Sequence, residues 1–219
     1  MNPLSKKAEK AKLPAVGTRL EEQGVWLEVY SRAALPTSYG EFDILVIRSS
    51  TDDKEHVVLI AGNIAAAQVS LTRIHSECLT GEVFGSLRCD CRLQLEKSLQ
   101  MIAAEGVGVL LYLRQEGRGI GLGNKVRAYA LQDKGMDTFE ANRHLGFDDD
   151  LRDYRLAAML LRLLGIGSIR LATNNPAKLF GMRSEGLKVT HVPLVTDPNP
   201  HNADYLTSKV KAEHLLPLP

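Results

Sequence analysis

The sequence lacks any long apolar run and any strong excess of charge. A membrane-spanning helix needs about 20 predominantly apolar residues, and no segment reaches that length, so we expect no membrane partner. The formal net charge is only +1, which gives no overall field to attract nucleic acid, and we expect no nucleic-acid partner. Any polyanionic ligand must therefore be bound by local clusters of basic side chains.

Cysteine is scarce as well, with three residues in a chain of 219. An odd cysteine count and the lack of a recognisable signal peptide indicate a reducing compartment, so we expect a cytoplasmic protein. All three cysteines fall within one short stretch, Arg73–Gln94, which also carries a histidine, carboxylates and arginines. Such a dense set of reactive side chains indicates chemistry at this stretch.

The remaining composition is that of an ordinary globular protein, with 44% hydrophobic and 24% charged residues. The length suffices for one domain with an appendage. Residues 1–22 are polar and rich in lysine, which predicts a flexible N-terminal extension. Residues 23–219 are then expected to form a single domain.

Hydrophobic periodicity predicts an α+β fold with mixed sheets, β-rich at the N-terminal side and built of α/β units after residue 93. The predicted strands are Val25–Tyr30, Phe42–Arg48, His56–Ala61, Val69–His75, Val107–Leu113, Ile169–Thr173 and Leu187–Pro193. The predicted helices are Leu93–Glu105, Asn124–Lys134, Asp150–Leu164, a segment from Pro176 to Gly186, and a tail from Ala203 to Leu216.

The cysteines have the spacing C-x10-C-x-C, formed by Cys78, Cys89 and Cys91. Thiolates are soft ligands that favour zinc, and three protein ligands leave a fourth position open, as in catalytic zinc sites. Two other interpretations are small buried hydrophobic cysteines and a structural Cys3His site that uses His75. The H-S-E of His75–Glu77 resembles half of the zinc deaminase signature, but the downstream P-C-x-x-C is replaced by R-C-D-C, so that match is poor.

Two loops carry groups that suit a ligand. Arg114–Lys125 is rich in glycine and basic residues and precedes a predicted helix, which suits a polyphosphate, although it also fits a flexible connection. Thr173–Lys178 follows a predicted strand and opens a helix, where α/β proteins place ligands. An ordinary helix N-cap with proline in the first turn explains this second loop equally well.

Taken together, these motifs resemble GTP cyclohydrolase II. The likeness runs from about Leu35 to Leu216, and its most specific segments are Arg73–Leu95, Gln115–Leu122, Asn124–Gln132, Asp137–Phe147 and Thr173–Lys178. The resemblance implies a homodimeric enzyme that opens the imidazole ring of GTP and releases formate and pyrophosphate. The product would be 2,5-diamino-6-ribosylamino-4(3H)-pyrimidinone 5′-phosphate, in the first step of riboflavin synthesis. Residues 23–219 would then be the catalytic domain.

The resemblance also implies roles for individual residues. Zinc would be held by Cys78, Cys89 and Cys91, and magnesium would accompany the GTP phosphates with help from Glu116. The catalytic residues would be Tyr129, Asp150 and Arg152. The substrate-binding residues would be Arg73, Ile74, His75, Ser76, Glu77, Gln94, Glu116, Gly117, Arg118, Thr138, Thr173 and Lys178.

Two points of chemistry stay open at the level of sequence. The family role of Arg152 is nucleophilic attack at the α-phosphate, but a guanidinium stays protonated in proteins, so a phosphate clamp is the alternative. Arg92 follows the C-D-C motif where the family usually has glycine, and it either alters the zinc site or points to solvent.

Two alternative functions are also kept. One is a diverged enzyme that serves secondary metabolism or stops at a formamidopyrimidine product. The other is a zinc-stabilised nucleotide-binding protein without catalysis, against which the presence of Tyr129, Asp150 and Arg152 argues.

Overall fold

The computed structural model describes residues 13–148, 150–202, 206–207 and 215. Its centre is one eight-stranded mixed sheet with the strand order β1-β2-β3-β4-β6-β5-β7-β8. The strands are β1 (Arg19–Glu22), β2 (Val25–Thr37), β3 (Gly40–Ser49), β4 (Asp52–Ala61), β5 (Ser70–Ser76), β6 (Gly108–Leu113), β7 (Ser168–Ala172) and β8 (Lys188–Val192).

Six α-helices are found in the described part of the chain: α1 (Leu79–Glu82), α2 (Cys91–Glu105), α3 (Gly121–Gln132), α4 (Thr138–His144), α5 (Arg155–Leu163) and α6 (Pro176–Ser184). Short 3₁₀ turns lie at Ile64–Ala66 and Glu116–Gly119. Among the helices that the structure describes, none is both long and apolar enough to cross a membrane.

The strand pairing changes from antiparallel to parallel at β6. Strands β1 to β4 form an antiparallel meander joined by tight turns, and β4 also pairs with β6 in the antiparallel direction. From β6 onward the pairs β6–β5, β5–β7 and β7–β8 are parallel. Parallel neighbours require crossover connections, which helices provide here. The sequence-based fold class, α+β with a β-rich start and α/β units after residue 93, is confirmed, with one mixed sheet.

Strand β6 is covered on both faces, and its alternating side chains point into two different cores. On β6, Val109 and Leu111 face the larger core, which α5 and α6 complete, whereas Leu110 faces a smaller core under α2. The apolar residues of α5 from Leu156 to Leu161 are buried against the sheet. The nearly continuous apolar sequence of β6 is explained by burial on both faces.

The N-terminal and C-terminal segments differ from expectation or lie outside the description. Arg19–Glu22, expected within a flexible extension of residues 1–22, pair with β2 as an edge strand. Residues 1–12 lie outside the described part, as does most of the tail predicted as a helix from Ala203 to Leu216.

The helix predicted to begin at Asp150 begins at Arg155 instead. The carboxylate of Asp150 accepts a hydrogen bond from the backbone N–H of Arg152, a local turn that competes with a helical start. Helix α4 was not predicted as a helix. It begins with a capping box in which Asp137 and Glu140 satisfy each other's backbone N–H groups.

Candidate active site

The candidate site lies where the parallel strands β5, β6 and β7 end. Chains leaving the carboxyl ends of neighbouring parallel strands form a crevice, the usual ligand position in α/β sheets. Here the crevice is a cleft of about 1120 Å³, open solvent at its mouth included, lined only by residues from Arg73 to Lys178 among those described. Charged and polar side chains converge on this cleft, as they do in ligand-binding sites.

The three cysteines meet at one end of the cleft. Their sulfur atoms lie within 4.8 Å of one another, and the Sγ atoms of Cys78 and Cys89 are 3.6 Å apart. Gly81 permits this approach, because a Cβ atom there would lie 2.8 Å from the sulfur of Cys89 and 3.3 Å from that of Cys78. A convergent set of three thiols fits a zinc ion with an open position and does not fit three independent buried cysteines.

The acid–base properties of the thiols reflect their closeness. Hydrogen bonds from Cys89 and Cys91 hold the pKa of the Cys78 thiol well below its usual range. The same contacts with Cys78 raise the pKa of Cys89 to about 11, and they raise the pKa of Cys91 as well. The cluster thus favours one thiolate, and the charge of a bound metal would be needed to stabilise all three.

His75 is not part of the thiol cluster. Its Nε2 atom lies 2.7 Å from the carboxylate of Glu82, and its Nδ1 atom faces the guanidinium of Arg73 at 3.4 Å. The hydroxyl of Tyr112 donates to the other oxygen of Glu82 at 2.6 Å, and the rings of Tyr112 and His75 stack. Because both ring nitrogens are engaged, the alternative of a Cys3His site is excluded by this geometry.

Burial sets the charge states of this histidine and its carboxylate partner. Burial lowers the pKa of His75, and the charges of Arg73 and Lys178 lower it further. Burial also raises the pKa of Glu82 to about 7. A neutral His75 that donates from Nε2 and accepts at Nδ1 satisfies every contact around the ring.

Lys125 joins the cysteine end of the cleft to the loop after β6. Its ammonium donates to Glu116 Oε1 at 2.7 Å and to the sulfur of Cys78 at 3.1 Å. Burial works to lower the pKa of Lys125, but the hydrogen bond to Glu116 and the charge of Cys78 outweigh it and raise that pKa. The lysine is therefore held as a cation against a sulfur.

Glu116 is engaged on both of its oxygens. Oε1 accepts from Lys125 and from the backbone N–H of Gly117 at 3.0 Å, and Oε2 accepts from the N–H of Leu79 at 2.7 Å. This arrangement favours a bracing role over the expected contact with magnesium, because the carboxylate already receives three donors.

The loop from Glu116 to Gly119 is tightly turned. Gly117 and Arg118 both adopt the left-handed conformation, with φ of 64° and 61°. For a residue other than glycine this conformation costs about 1–2 kcal/mol. The turn presents Arg118 to the cleft, where its guanidinium also lies over the ring of Phe139 from α4 at 4.8 Å. Strain of this kind is typical of ligand-binding turns.

Buried cations form a second group of side chains in the cleft. Arg73 donates to the carbonyl of Ala172 at 2.9 Å, and its Nε atom is buried without a hydrogen-bond partner among the described residues. Lys178 donates to the carbonyl of Ile74 at 2.8 Å. Burial lowers the pKa of Arg73 to about 10, and burial beside Arg73 and Arg152 lowers the pKa of Lys178. An anionic ligand bound beside these groups would favour their charged forms.

Arg152 forms an ion pair with Asp150, and together with Arg73, Lys178 and Arg118 it makes up a cation set in the cleft. The Nε and Nη2 atoms of Arg152 bond to the two oxygens of Asp150 at 2.8 and 2.5 Å. Burial works to raise the pKa of Asp150, but the hydrogen bonds and charge of Arg152 outweigh it and lower that pKa. An ionised carboxylate therefore holds a charged guanidinium toward the cleft.

Gln94 connects Arg73 to Asp90 within the cleft. Its amide oxygen accepts from Arg73 at 2.6 Å, and its amide nitrogen donates to the buried carboxylate of Asp90 at 2.5 Å. One amide hydrogen and one lone pair of Gln94 are left over for a ligand. Its orientation is fixed by these two charged neighbours.

Tyr129 stands on α3 next to the cysteines. Burial raises the pKa of its phenol, which forms a hydrogen bond with Thr80. The guanidinium of Arg88 lies 5.0 Å and the ammonium of Lys125 lies 5.8 Å from the centre of its ring. The tyrosine is thereby fixed at the wall of the cleft beside the predicted metal site.

The structure brings most of the expected site residues together. The lining residues include all three cysteines, Tyr129, Arg152 and these expected substrate contacts: Arg73, His75, Ser76, Glu77, Gln94, Glu116, Gly117, Arg118, Thr138, Thr173 and Lys178. Asp150 reaches the cleft through Arg152, and Ile74 has its side chain in the core and offers only its carbonyl. Arg92 pairs with Glu96 on the exposed side of α2, away from the cleft.

Sequence reasoning did not assign several residues of the site. Asn142 lines the cleft from α4, and the capping box at Asp137 was the signal that could have placed this helix. Tyr112 was missed because its contact with His75 depends on strand register, which a single sequence does not provide. Glu82 was missed because its contact depends on how the short helix α1 folds back toward β5. Lys125 was noted as a basic residue of its loop, but its contact with Cys78 was not foreseen.

Comparisons with known proteins identify the family of the chain. The GTP cyclohydrolase II family profile matches residues 28–193. The GTP cyclohydrolase-2 of Proteus mirabilis is 53% identical over 188 residues, which cover 85% of this chain and 94% of that protein. The riboflavin biosynthesis protein RibBA of Bacillus mycoides is 53% identical over 186 residues, covering 84% of this chain but 47% of that protein. The chain thus spans about half the length of the RibBA relatives that it matches.

A solved structure, the two-domain 3,4-dihydroxy-2-butanone 4-phosphate synthase RibBX of A. baumannii, aligns with a TM-score of 0.43 at 19% identity. The alignment covers 75% of this chain and 40% of that chain, a likeness too distant to carry an argument. The profile match and the 53% identity to a relative covered almost end to end show that the chain belongs to the GTP cyclohydrolase II family.

Proposed function

We propose that the protein opens the guanine imidazole ring of GTP and releases formate and pyrophosphate, the GTP cyclohydrolase II reaction of riboflavin biosynthesis. The observation that supports this most is that one cleft holds two groups of side chains suited to different ligands: three convergent thiols and a set of buried cations. A substrate with a reactive base and a triphosphate has a use for both. We further propose that the protein acts in the cytoplasm as a homodimer.

Cys78, Cys89 and Cys91 would hold one zinc ion. Bound there, zinc would supply Lewis-acid activation of a water near neutral pH for attack on C8 of the base. Tyr129 lies beside this site and would donate or accept a proton as the ring opens. Gln94, held by Arg73 and Asp90, would use its remaining hydrogen and lone pair to bind the base edge.

The cation set would bind the triphosphate. Arg73, Lys178 and Arg118 offer charged donors to phosphate oxygens, and charge-assisted hydrogen bonds of this kind are the stronger ones. Magnesium would arrive with the nucleotide, since the cysteine cluster is the only group of three or more metal-binding side chains among the described residues. No role for Glu116 on magnesium is needed.

For Arg152 we favour the phosphate clamp over the nucleophile. The ion pair with Asp150 stabilises its protonated form, and a protonated guanidinium has no free electron pair on nitrogen for attack. In this role Asp150 orients the guanidinium, and the α-phosphate receives a planar pair of donors.

The deciding experiment is incubation of the purified protein with GTP and magnesium, with formate and pyrophosphate assayed together. We expect equal amounts of both products. Pyrophosphate without formate, or a ring-opened triphosphate without pyrophosphate, would point to a diverged enzyme. No turnover by zinc-loaded protein that still binds GTP would leave the non-catalytic alternative and overturn the proposal.

A further inference from the structure

Lys125 has a contact that phosphate binding does not explain. Its ammonium lies 3.1 Å from the sulfur of Cys78 and 2.7 Å from Glu116 Oε1, with only 12% of its side chain exposed. Both hydrogen bonds tie the ammonium to the cysteine cluster and to the carboxylate that braces it. We propose that Lys125 is a positioning residue for the metal centre, whose charge and hydrogen bond stabilise the Cys78 thiolate as a zinc ligand.

The charge balance of the cluster gives the reason. Three thiolates outweigh the two positive charges of zinc by one, so the loaded site would carry a net negative charge. A net charge in a poorly solvated cleft is costly unless a counter-charge lies close to it. Excess charge on the sulfurs also weakens the Lewis acidity that activation of a water requires. The ammonium of Lys125, in direct contact with one sulfur, opposes both effects.

Glu116 does not cancel this charge. Its two oxygens also accept from the backbone N–H groups of Leu79 and Gly117, which share the negative charge of the carboxylate. The ammonium of Lys125 contacts the sulfur of Cys78 directly, whereas the carboxylate of Glu116 contacts the ammonium. The ion pair therefore presents its positive end to Cys78, and Glu116 restricts where the lysine can go.

The local fold is built for this contact. The left-handed turn at Gly117 brings the chain from β6 into α3, and a Cβ atom at Gly117 would lie 3.1 Å from the Cβ of Lys125. Leu79, whose N–H bonds to Glu116, follows Cys78 directly in the chain. Glu116 thus holds Lys125 through a side-chain ion pair and the cysteine loop through the N–H of Leu79.

The inference rests on the proposed zinc site and is tested by metal binding. Zinc affinity is measured by competition with a chelator in the wild type and in Lys125→Met, Glu116→Gln and the double variant. Outer-shell partners of metal ligands typically contribute about 10- to 100-fold in affinity, and we expect Lys125→Met and the double variant to lose that much. Glu116→Gln should stay close to the wild type, since the lysine keeps its contact with the sulfur.

Cobalt supplies a second readout. In the Co²⁺-loaded protein, Lys125→Met should move the sulfur-to-metal charge-transfer band to longer wavelength, because a thiolate without its hydrogen bond gives up electrons more easily. Lys134→Met, which alters an exposed lysine shortly after α3, is the matched control and should change neither readout. The double variant removes both buried charges and carries the test if the single variant does not fold.

The outcomes separate the inference from the function on which it rests. Wild-type protein that binds no zinc overturns both. One zinc per chain in the wild type, with Lys125→Met unchanged in affinity and in cobalt spectrum, overturns the role of Lys125 alone. An equal loss in Glu116→Gln and Lys125→Met would show that the ion pair merely braces the loop, which also overturns it.

Discussion

The antiparallel and parallel halves of the sheet differ in what they contribute to the site. Strands β1 to β4 run back and forth with tight turns, and among the described residues none from this half lines the cleft. The ends of β5, β6 and β7 lead into segments that carry the cysteines, the glycine-rich loop and the Thr173–Lys178 loop. The antiparallel half therefore serves as a scaffold and the parallel half carries the site, as in other α/β sheets, where ligands bind outside the carboxyl ends of the parallel strands.

The largest effect is expected from the parallel half. Cys89→Ser should lose zinc and lower formate release by about 10²- to 10⁴-fold, the usual consequence of removing a catalytic group. Pyrophosphate release should persist, because the cation set does not use this thiol. Elemental analysis and product chromatography measure both. Loss of the two products in parallel would show that the cysteine cluster and the cation set do not act separately.

A core substitution in the antiparallel half should show the opposite pattern. Leu45 is fully buried in β3, and truncation of such a leucine to alanine typically costs 2–5 kcal/mol of unfolding free energy. We expect Leu45→Ala to unfold at a lower denaturant concentration but to keep its zinc and its turnover number at low temperature. A fall in turnover number while the protein is still folded would break the division between scaffold and site.

Within the parallel half, Lys178→Met should mainly weaken substrate binding. A hydrogen bond to a charged group is worth about 1.5–3 kcal/mol, so KM for GTP should rise by roughly tenfold or more while zinc content stays the same. Lys188→Met, an exposed lysine on β8, is the control. An unchanged KM would place the triphosphate away from the buried cations.

The smallest effect concerns His56, a fully buried histidine of β4. Its Nδ1 atom accepts the N–H of Arg114, and burial lowers its pKa in the folded state. As pH falls, this histidine is protonated in the unfolded chain before it is protonated in the folded one. The free energy of unfolding should therefore fall as pH drops below about 6.5 and level off below the folded-state pKa of His56. His56→Asn keeps an acceptor but does not titrate, and denaturant melts from pH 5 to 8 should show less pH dependence. An identical slope in both proteins would contradict this assignment.

The sequence was most informative where one residue type repeats at a fixed period or spacing. The apolar run of β6 predicted a buried strand, and the C-x10-C-x-C spacing predicted the convergence of three sulfurs that the structure contains. It was misleading at Asp150, where a charged start resembled a helix N-terminus but the carboxylate turned back to bind Arg152. Contacts such as that between Lys125 and Cys78 join residues 47 positions apart, and no local pattern specifies them.

The pairing of β5 with β7 has a consequence for the order of folding. The thiols are joined by a loop of about ten residues, which closes at a small entropic cost, whereas Arg73 reaches its acceptor Ala172 across 99 positions of the chain. Contacts of long sequence separation form late and slow the folding of a domain. We therefore expect a nascent chain to gather its three thiols well before β7 docks, so that the cysteine cluster forms before Arg73 reaches Ala172.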